Sequence, residues 1–218
     1  MPKKTFLNLK TDKKEYFIRA ALEEFSQNSY ESASVNQLAK ALGIAKGSIY
    51  QYFEDKKDLY LYLLTYCNQK KQEKLAPILQ ERYPDFFTLF FKMYETGLAY
   101  DLSHPLRSSF LTQVSRERHV PGLGDLPLRT LQQSTAYFKQ RIIREQEKGH
   151  IRADINSELM AFVLVQLGQS LPDFFRLSKG DPENETYSAQ AEEISNFMKD
   201  LVELLHNGMG VPPASDSP

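Results

Sequence analysis

The chain has 218 residues, 41% of them hydrophobic and 25% charged, with 27 Lys and Arg against 28 Asp and Glu. That composition excludes wholesale disorder, no apolar run reaches the ~18 residues of a membrane span, and one cysteine, Cys67, excludes an internal disulfide framework. The net charge of −1 hides an asymmetry, because residues 1–50 carry eight basic and five acidic groups (+3) and the remainder nineteen and twenty-three (−4). A basic head on an acidic body suits a nucleic-acid partner.

Neither an apolar stretch nor a small-residue cleavage site follows the basic start Met1–Phe6, so no secretory signal is expected and the expected location is cytoplasmic. A first helix is predicted from Thr11 or Asp12, with Ile18, Ala21, Leu22 and Phe25 as its apolar stripe. A second starts at Ser34, where Ser34-Val35-Asn36-Gln37 reads as a capping box, and carries Val35, Leu38, Ala39 and Leu42. Gly43 interrupts it, and a third helix from about Ala45 presents Ile49 and Phe53 inward. Asp55 caps a fourth with Leu59, Tyr62, Leu63 and Tyr66, which Pro77 is expected to end or kink.

Pro84 and Pro105 read as first residues of the next two helices, the earlier one crowded with phenylalanines. After a loop at 119–124, a helix carrying Leu128, Leu131, Thr135, Phe138 and Ile142 stops at Gly149. Asn156 caps a helix with Leu159, Val163, Leu167, Leu171 and Phe174. A polar loop at 178–184 precedes the last, with Ile194, Leu201 and Leu205. The expected fold is all-α with about nine helices: a three-helix head over 1–56, a helical domain over 57–208 and a flexible tail over 209–218.

The spacing from Val35 to Phe53 is that of a helix-turn-helix. Ala39 lies four residues before Gly43, where a small side chain lets the second helix cross closely. Gly43 takes the positive φ that such a turn requires. The second helix of such a pair is held proud of the surface, so that its start enters the major groove.

The segments Ala20–Phe25, Tyr30–Val35 and Leu38–Phe53, followed by Lys56 and Leu59, resemble the TetR family of transcriptional regulators in order and spacing. Lys57 stands where the family is usually acidic, and Ser29 where it usually has glycine. Beyond Leu63 the resemblance is one of length and helical content. It implies an N-terminal helix-turn-helix for operator DNA and a larger C-terminal domain for dimerisation and a small ligand.

On that resemblance Lys46, Gly47 and Ser48 open the recognition helix. Gln51 is the candidate for base readout, with Tyr50, Tyr52, Lys56 and Ser34 for phosphate contacts. Capping alone would explain Ser34, and packing alone Tyr50 and Tyr52. The candidate ligand pocket is Phe86, Phe90, Phe91, Tyr94, Phe110, Tyr137 and Phe138, a cluster that ordinary core packing would also explain. The candidate dimer seam is Leu167, Leu171, Leu201 and Leu205.

No catalytic residue is expected, since there is no Gly-rich phosphate loop, nucleophile elbow or metal motif. The dispersed His104, His119, His150 and His206 lack ligand spacing, so neither metal nor cofactor is expected. The resulting expectation is a repressor that binds a palindromic operator as a homodimer and leaves it on binding a small apolar effector, with no membrane partner. The alternative is a regulator controlled by a protein partner or by no small ligand, its C-terminal domain serving dimerisation alone.

Overall fold

Apolar residues at three- and four-residue spacing fold as helices in the described residues. In the computed structural model, which describes residues 1–117, 120, 123–179 and 191–209, these helices number ten and no strand occurs among the described residues. They are α1 (Lys4–Leu7), α2 (Thr11–Gln27), α3 (Val35–Leu42), α4 (Lys46–Tyr52), α5 (Lys56–Gln80), α6 (Phe86–Ser103), α7 (Pro105–Arg116), α8 (Leu126–Glu147), α9 (Ser157–Lys179) and α10 (Ala191–Met209). The all-α class is the expected one, with the short α1 added. Of the tail expected over 209–218, Met209 closes α10 and the rest lies outside the described residues, as do 119 and 121–122 of the first expected loop and 180–184 of the second.

Most helix ends follow their sequence signals. Ser34 Oγ accepts from the Gln37 N–H at 3.3 Å, while the Ser34 N–H donates to Glu24 Oε1 at 2.7 Å, so Glu24 of α2 supplies the second half of the capping box. Asp55 Oδ1 accepts from the Asp58 N–H at 2.7 Å, and Asn156 Oδ1 from Glu158 and Leu159 at 2.8 and 3.0 Å. Three ends differ. Thr11 is already helical, and Lys10 before it offers no side-chain cap. Pro84 precedes α6 by two residues, and Asp85 caps there by accepting from the Thr88 N–H at 2.8 Å. Pro77 does not end α5: its carbonyl still accepts from the Glu81 N–H at 3.2 Å, and the helix completes its turn.

The chain forms two compact units. The first, Met1–Lys71 with His104–Arg129, is built on a core in which Phe6, Phe17, Phe25, Phe53, Tyr60 and Phe110 are all buried. Aromatic rings meet edge to face across it, as with Phe25 and Tyr60 at 5.3 Å and Tyr60 and Phe110 at 5.4 Å. The second, Gln72–Ser103 with Thr130–Pro218, has two apolar clusters in its described part. One holds Phe86, Phe90, Phe138, Ile142 and Leu164; the other holds Leu98, Phe175, Ile194 and Met198. Tyr94 packs against both, its hydroxyl donating to the Leu164 carbonyl at 2.8 Å. Gly168 makes room for it, since a Cβ there would lie 2.4 Å from Cε1 of Tyr94.

Candidate nucleic-acid interface

Within the first unit α3 and α4 form the helix-turn-helix. Gly43 takes φ 64° and ψ 29°, the left-handed conformation that its place in the sequence requires. The Ile44 N–H then reaches back to the Ala39 carbonyl at 3.0 Å and closes α3 in the Schellman manner. Leu38, Ala39 and Ile49 are buried beneath the pair, with Leu42 and Ile44 partly buried beside them.

On the outer side Lys46, Gly47, Tyr50 and Gln51 are exposed and Ser48 is half-buried. Nothing lies within 4 Å of where a Gly47 Cβ would stand, so the backbone there is open to a large partner. A cation, a hydroxyl and an amide are thus presented from one short helix, the donors and acceptors that phosphates and base edges need.

Three predicted contacts are placed differently from this face. Tyr52 is half-buried, its ring 5.9 Å from Phe6 and 5.7 Å from Phe17, so packing holds it. Lys56 Nζ donates to the carbonyls of Glu31 and Ala33 at 3.1 and 2.9 Å and sits 4.8 Å from the Tyr30 ring centroid. Its charge fastens the loop between α2 and α3 to the start of α5. Ser34 is occupied as the α3 cap.

Sequence reasoning missed the N-terminal segment. Phe6 is fully buried against Phe17, Phe53 and Tyr62, with ring centroids 5.3, 4.8 and 5.2 Å away. The signal was Phe6 and Leu9, an apolar pair three residues apart in an otherwise basic start.

The candidate pocket residues are not all brought together. Phe86, Phe90 and Phe138 are buried in one cluster of the second unit, where Tyr94 stacks on Phe90 at 4.1 Å. Burial pushes the Tyr94 hydroxyl well above the usual tyrosine range, so it serves as a donor and not as an acid. Phe91 packs with Leu98 and Phe175, and Tyr137 is 40% exposed with the Arg141 guanidinium 5.1 Å from its ring. Phe110 does not belong with them: it lies in the core of the first unit, because α7 packs there.

A cavity of about 350 Å³ opens beside Phe86, with Leu79, Leu89, Arg82, Arg141 and Arg144 among its lining. Of the candidate pocket residues, only Phe86 lines it.

The candidate seam residues are also placed mostly inward. Leu171 and Leu205 are buried in the second unit's clusters, and Leu167 and Leu201 are partly buried. The exposed apolar side chains of α9 are Leu159, Phe162, Val163, Phe174 and Leu177, and at 100° per residue these fall within a sector of about 120°. On α10 Leu204 is 70% exposed, on the face that also holds Leu201 and Phe197.

A helix-turn-helix with a polar outer helix is the arrangement by which many DNA-binding regulators enter the major groove. Residues 17–63 match the family model described as bacterial regulatory proteins, tetR family. A TetR family transcriptional regulator from Chloroflexus aurantiacus has a similar structure, with a TM-score of 0.78 and 28% identity over 97% of this chain and 99% of that one. The ketosteroid transcriptional regulator KstR2 of Mycobacterium tuberculosis shares the fold at a TM-score of 0.70 and 12% identity, over 94% of this chain and 97% of its own.

Among curated relatives, the HTH-type transcriptional regulator YhgD of Bacillus subtilis is 23% identical over 156 residues, 72% of this chain and 80% of its own. YuxN of the same organism is 41% identical over 67 residues, 31% of this chain and only 23% of its own length. Residues 17–63 thus match the DNA-binding segment of the tetR family, and the rest of the chain is similar in fold to regulators of that family. No helix among the described residues is long and apolar enough to cross a membrane.

Proposed function

We propose that the protein is a homodimeric repressor that reads a palindromic operator through two copies of α4 and leaves it when a small, largely apolar effector binds the second unit. The observation that carries the DNA half is the exposed face of Lys46, Gly47, Tyr50 and Gln51 on a helix held by a Gly43 turn. Two such helices must stand about 34–36 Å apart to enter successive major grooves, a distance that only a dimer can set. The exposed apolar sector of α9 and Leu204 of α10 support a bundle of these two helices with their copies. In this reading the head expected over 1–56 lies within the first unit, and the ligand and dimerisation functions expected over 57–208 belong to the second, since 57–71 and 104–129 fold with the head.

The cavity beside Phe86 supports an effector with an apolar body and an acidic group. Of its three carboxylates, Asp85 caps Thr88, Glu145 meets Lys148 and His150, and the exposed Glu81 accepts from the Tyr83 hydroxyl, while four cations, Arg82, Arg141, Arg144 and Lys148, line the same cavity. The stacking of Tyr94 on Phe90, with Phe138 meeting both rings at 6.1–6.4 Å, favours the second reading, a body that only dimerises or is governed by a protein partner.

The test begins with duplexes selected by the protein from a randomised pool. Gln51→Ala should cost about 1–3 kcal/mol on the selected duplex and relax preference at one base position. Equal losses on selected and random duplexes would remove Gln51 from base readout. An effector that binds preferentially off DNA must release the selected duplex and be weakened by it to the same factor. A chemically diverse library that never does so leaves the second reading.

A further inference from the structure

We propose that the N-terminal segment Lys3–Phe6 is a clamp on the C-terminal end of the recognition helix, making Lys3 and Thr5 positioning residues for DNA readout. The inference rests on reading α4 as the helix that enters the groove.

α4 has seven residues, far below the length at which a helix holds itself in water, so its position is set by what grips it. Its last four carbonyls have no partner within the helix. The first of them, on Ile49, accepts from the Phe53 N–H at 2.9 Å. The other three are taken by the N-terminal segment. Lys3 Nζ donates to the Tyr50 carbonyl at 2.9 Å, the Thr5 hydroxyl donates to the Gln51 carbonyl, and the Lys3 N–H donates to the Tyr52 carbonyl at 2.8 Å. Every open acceptor at this helix end is satisfied by residues more than forty positions earlier in the chain.

Two further features make the arrangement a clamp and not a chance approach. Phe6, on the next turn of chain, is fully buried among Phe17, Phe53, Tyr62 and Tyr52, so the segment that supplies the donors is anchored to the core under α4. The Lys3 ammonium lies at the negative end of the helix dipole, 3.3 Å from the Glu54 carboxylate just beyond it. The held carbonyls belong to Tyr50 and Gln51, the residues whose side chains are exposed on the outer face. A displacement of the helix end by a fraction of an ångström would move the Gln51 amide out of register with a base edge. It would leave diffuse attraction to phosphates intact, because that attraction tolerates such shifts.

The experiment uses the full chain, a duplex it has selected from a randomised pool, and a random duplex of the same length. Thr5→Val removes one anchor without changing charge. Thr5→Ser keeps the hydroxyl; Lys3→Met removes the ammonium, and Lys3→Arg keeps a cationic donor in its place.

Thr5→Val and Lys3→Met together should weaken the selected complex about tenfold or more, with loss on the random duplex confined to the small share due to one charge. Thr5→Ser with Lys3→Arg should return the affinity. In the free protein, amides of α4 should exchange faster in the Val/Met pair while those of α2 and α5 keep their rates.

Unchanged exchange in α4 overturns the clamp whatever the DNA result. So does an equal loss on both duplexes, which marks Lys3 as a phosphate contact instead. Failure of the unmodified protein to enrich any duplex, with α4 exchange still responding to the Val/Met pair, retains the clamp and sinks the DNA reading.

Discussion

The Tyr60 side chain is 2% exposed among Phe25, Tyr30 and Phe110, and its hydroxyl finds no hydrogen-bond partner among the described residues. An unsatisfied buried hydroxyl costs about 1–3 kcal/mol, while the ring contributes packing that phenylalanine reproduces. Tyr60→Phe should therefore leave the fold intact and raise Tm by about 2–4 °C per kcal/mol regained. A fall in Tm would show that the hydroxyl has a partner after all. Cys67, on the same helix, is fully buried, and burial pushes its thiol up to about 12 despite the lowering influence of Arg107. Folding thus favours the neutral thiol. Its share of stability is complete below pH 9 and is lost as pH rises towards 12. At pH 8 the native protein should resist a disulfide reagent that titrates the unfolded chain at once; immediate modification of the native protein would contradict this placement. Cys67 was legible in the sequence as a small apolar filler of this helix, but Tyr60 was not: the expected inner stripe was Leu59, Tyr62, Leu63 and Tyr66, whereas Leu59, Tyr60, Leu63 and Cys67 are the buried ones. Nor was the missing partner of Tyr60, because it depends on which atoms other elements bring to its hydroxyl.

Caps and turns are where sequence and element agree best, since their chemistry is local. Ser34, Asp55, Asn156 and Gly43 each do what their residue type dictates within three or four positions of chain. Pro77 and Pro84 did not mark the ends expected of them. A proline's effect depends on whether the turn before it is held, and α5 continues through Pro77 to Gln80. Long-range close approaches leave even less trace. Nothing in the sequence around Gly168 of α9 announces that Tyr94 of α6 lies against it, yet a Cβ there would stand 2.4 Å from the ring. Tyr94 has little freedom to yield, being stacked on Phe90 and hydrogen-bonded to the Leu164 carbonyl. Gly168→Ala should accordingly destabilise the protein by about 1–3 kcal/mol, in spite of alanine's better helix propensity. The pair Gly168→Ala with Tyr94→Leu should recover part of that loss. A single alanine variant that is more stable than the parent, by denaturant unfolding, would mean that the two helices part easily.

At the scale of the whole molecule the all-helical class and the head were readable, because helix periodicity and the turn at Gly43 are sequence-local. Which apolar residues face outward was not. Leu171 and Leu205 have seam spacing, but a heptad-like pattern marks an apolar face without saying whether the same chain or a second copy covers it. The structure buries these two and leaves Leu159, Phe162, Val163 and Leu177 of α9 and Leu204 of α10 exposed. On this face of α9 the exposed apolar side chains stand at its two ends, Leu159, Phe162 and Val163 at one and Phe174 and Leu177 at the other, with Gln166, Ser170 and Asp173 between them. If a second copy covers it, substitutions on the two faces must behave differently. Phe162→Asp with Leu204→Asp places charges on the outer face, where a folded monomer can solvate them. Sedimentation should then report half the mass, far-ultraviolet dichroism should be unchanged, and affinity for a selected palindrome should collapse towards that for random DNA. Leu205→Asp instead buries an unpaired carboxylate, and the expected outcome is loss of folded protein and not a clean monomer. The informative comparison is between the two at equal concentration. A folded Phe162→Asp/Leu204→Asp protein that keeps the parent's mass would remove α9 and α10 from the interface, and parent protein that sediments as a monomer would remove the dimer.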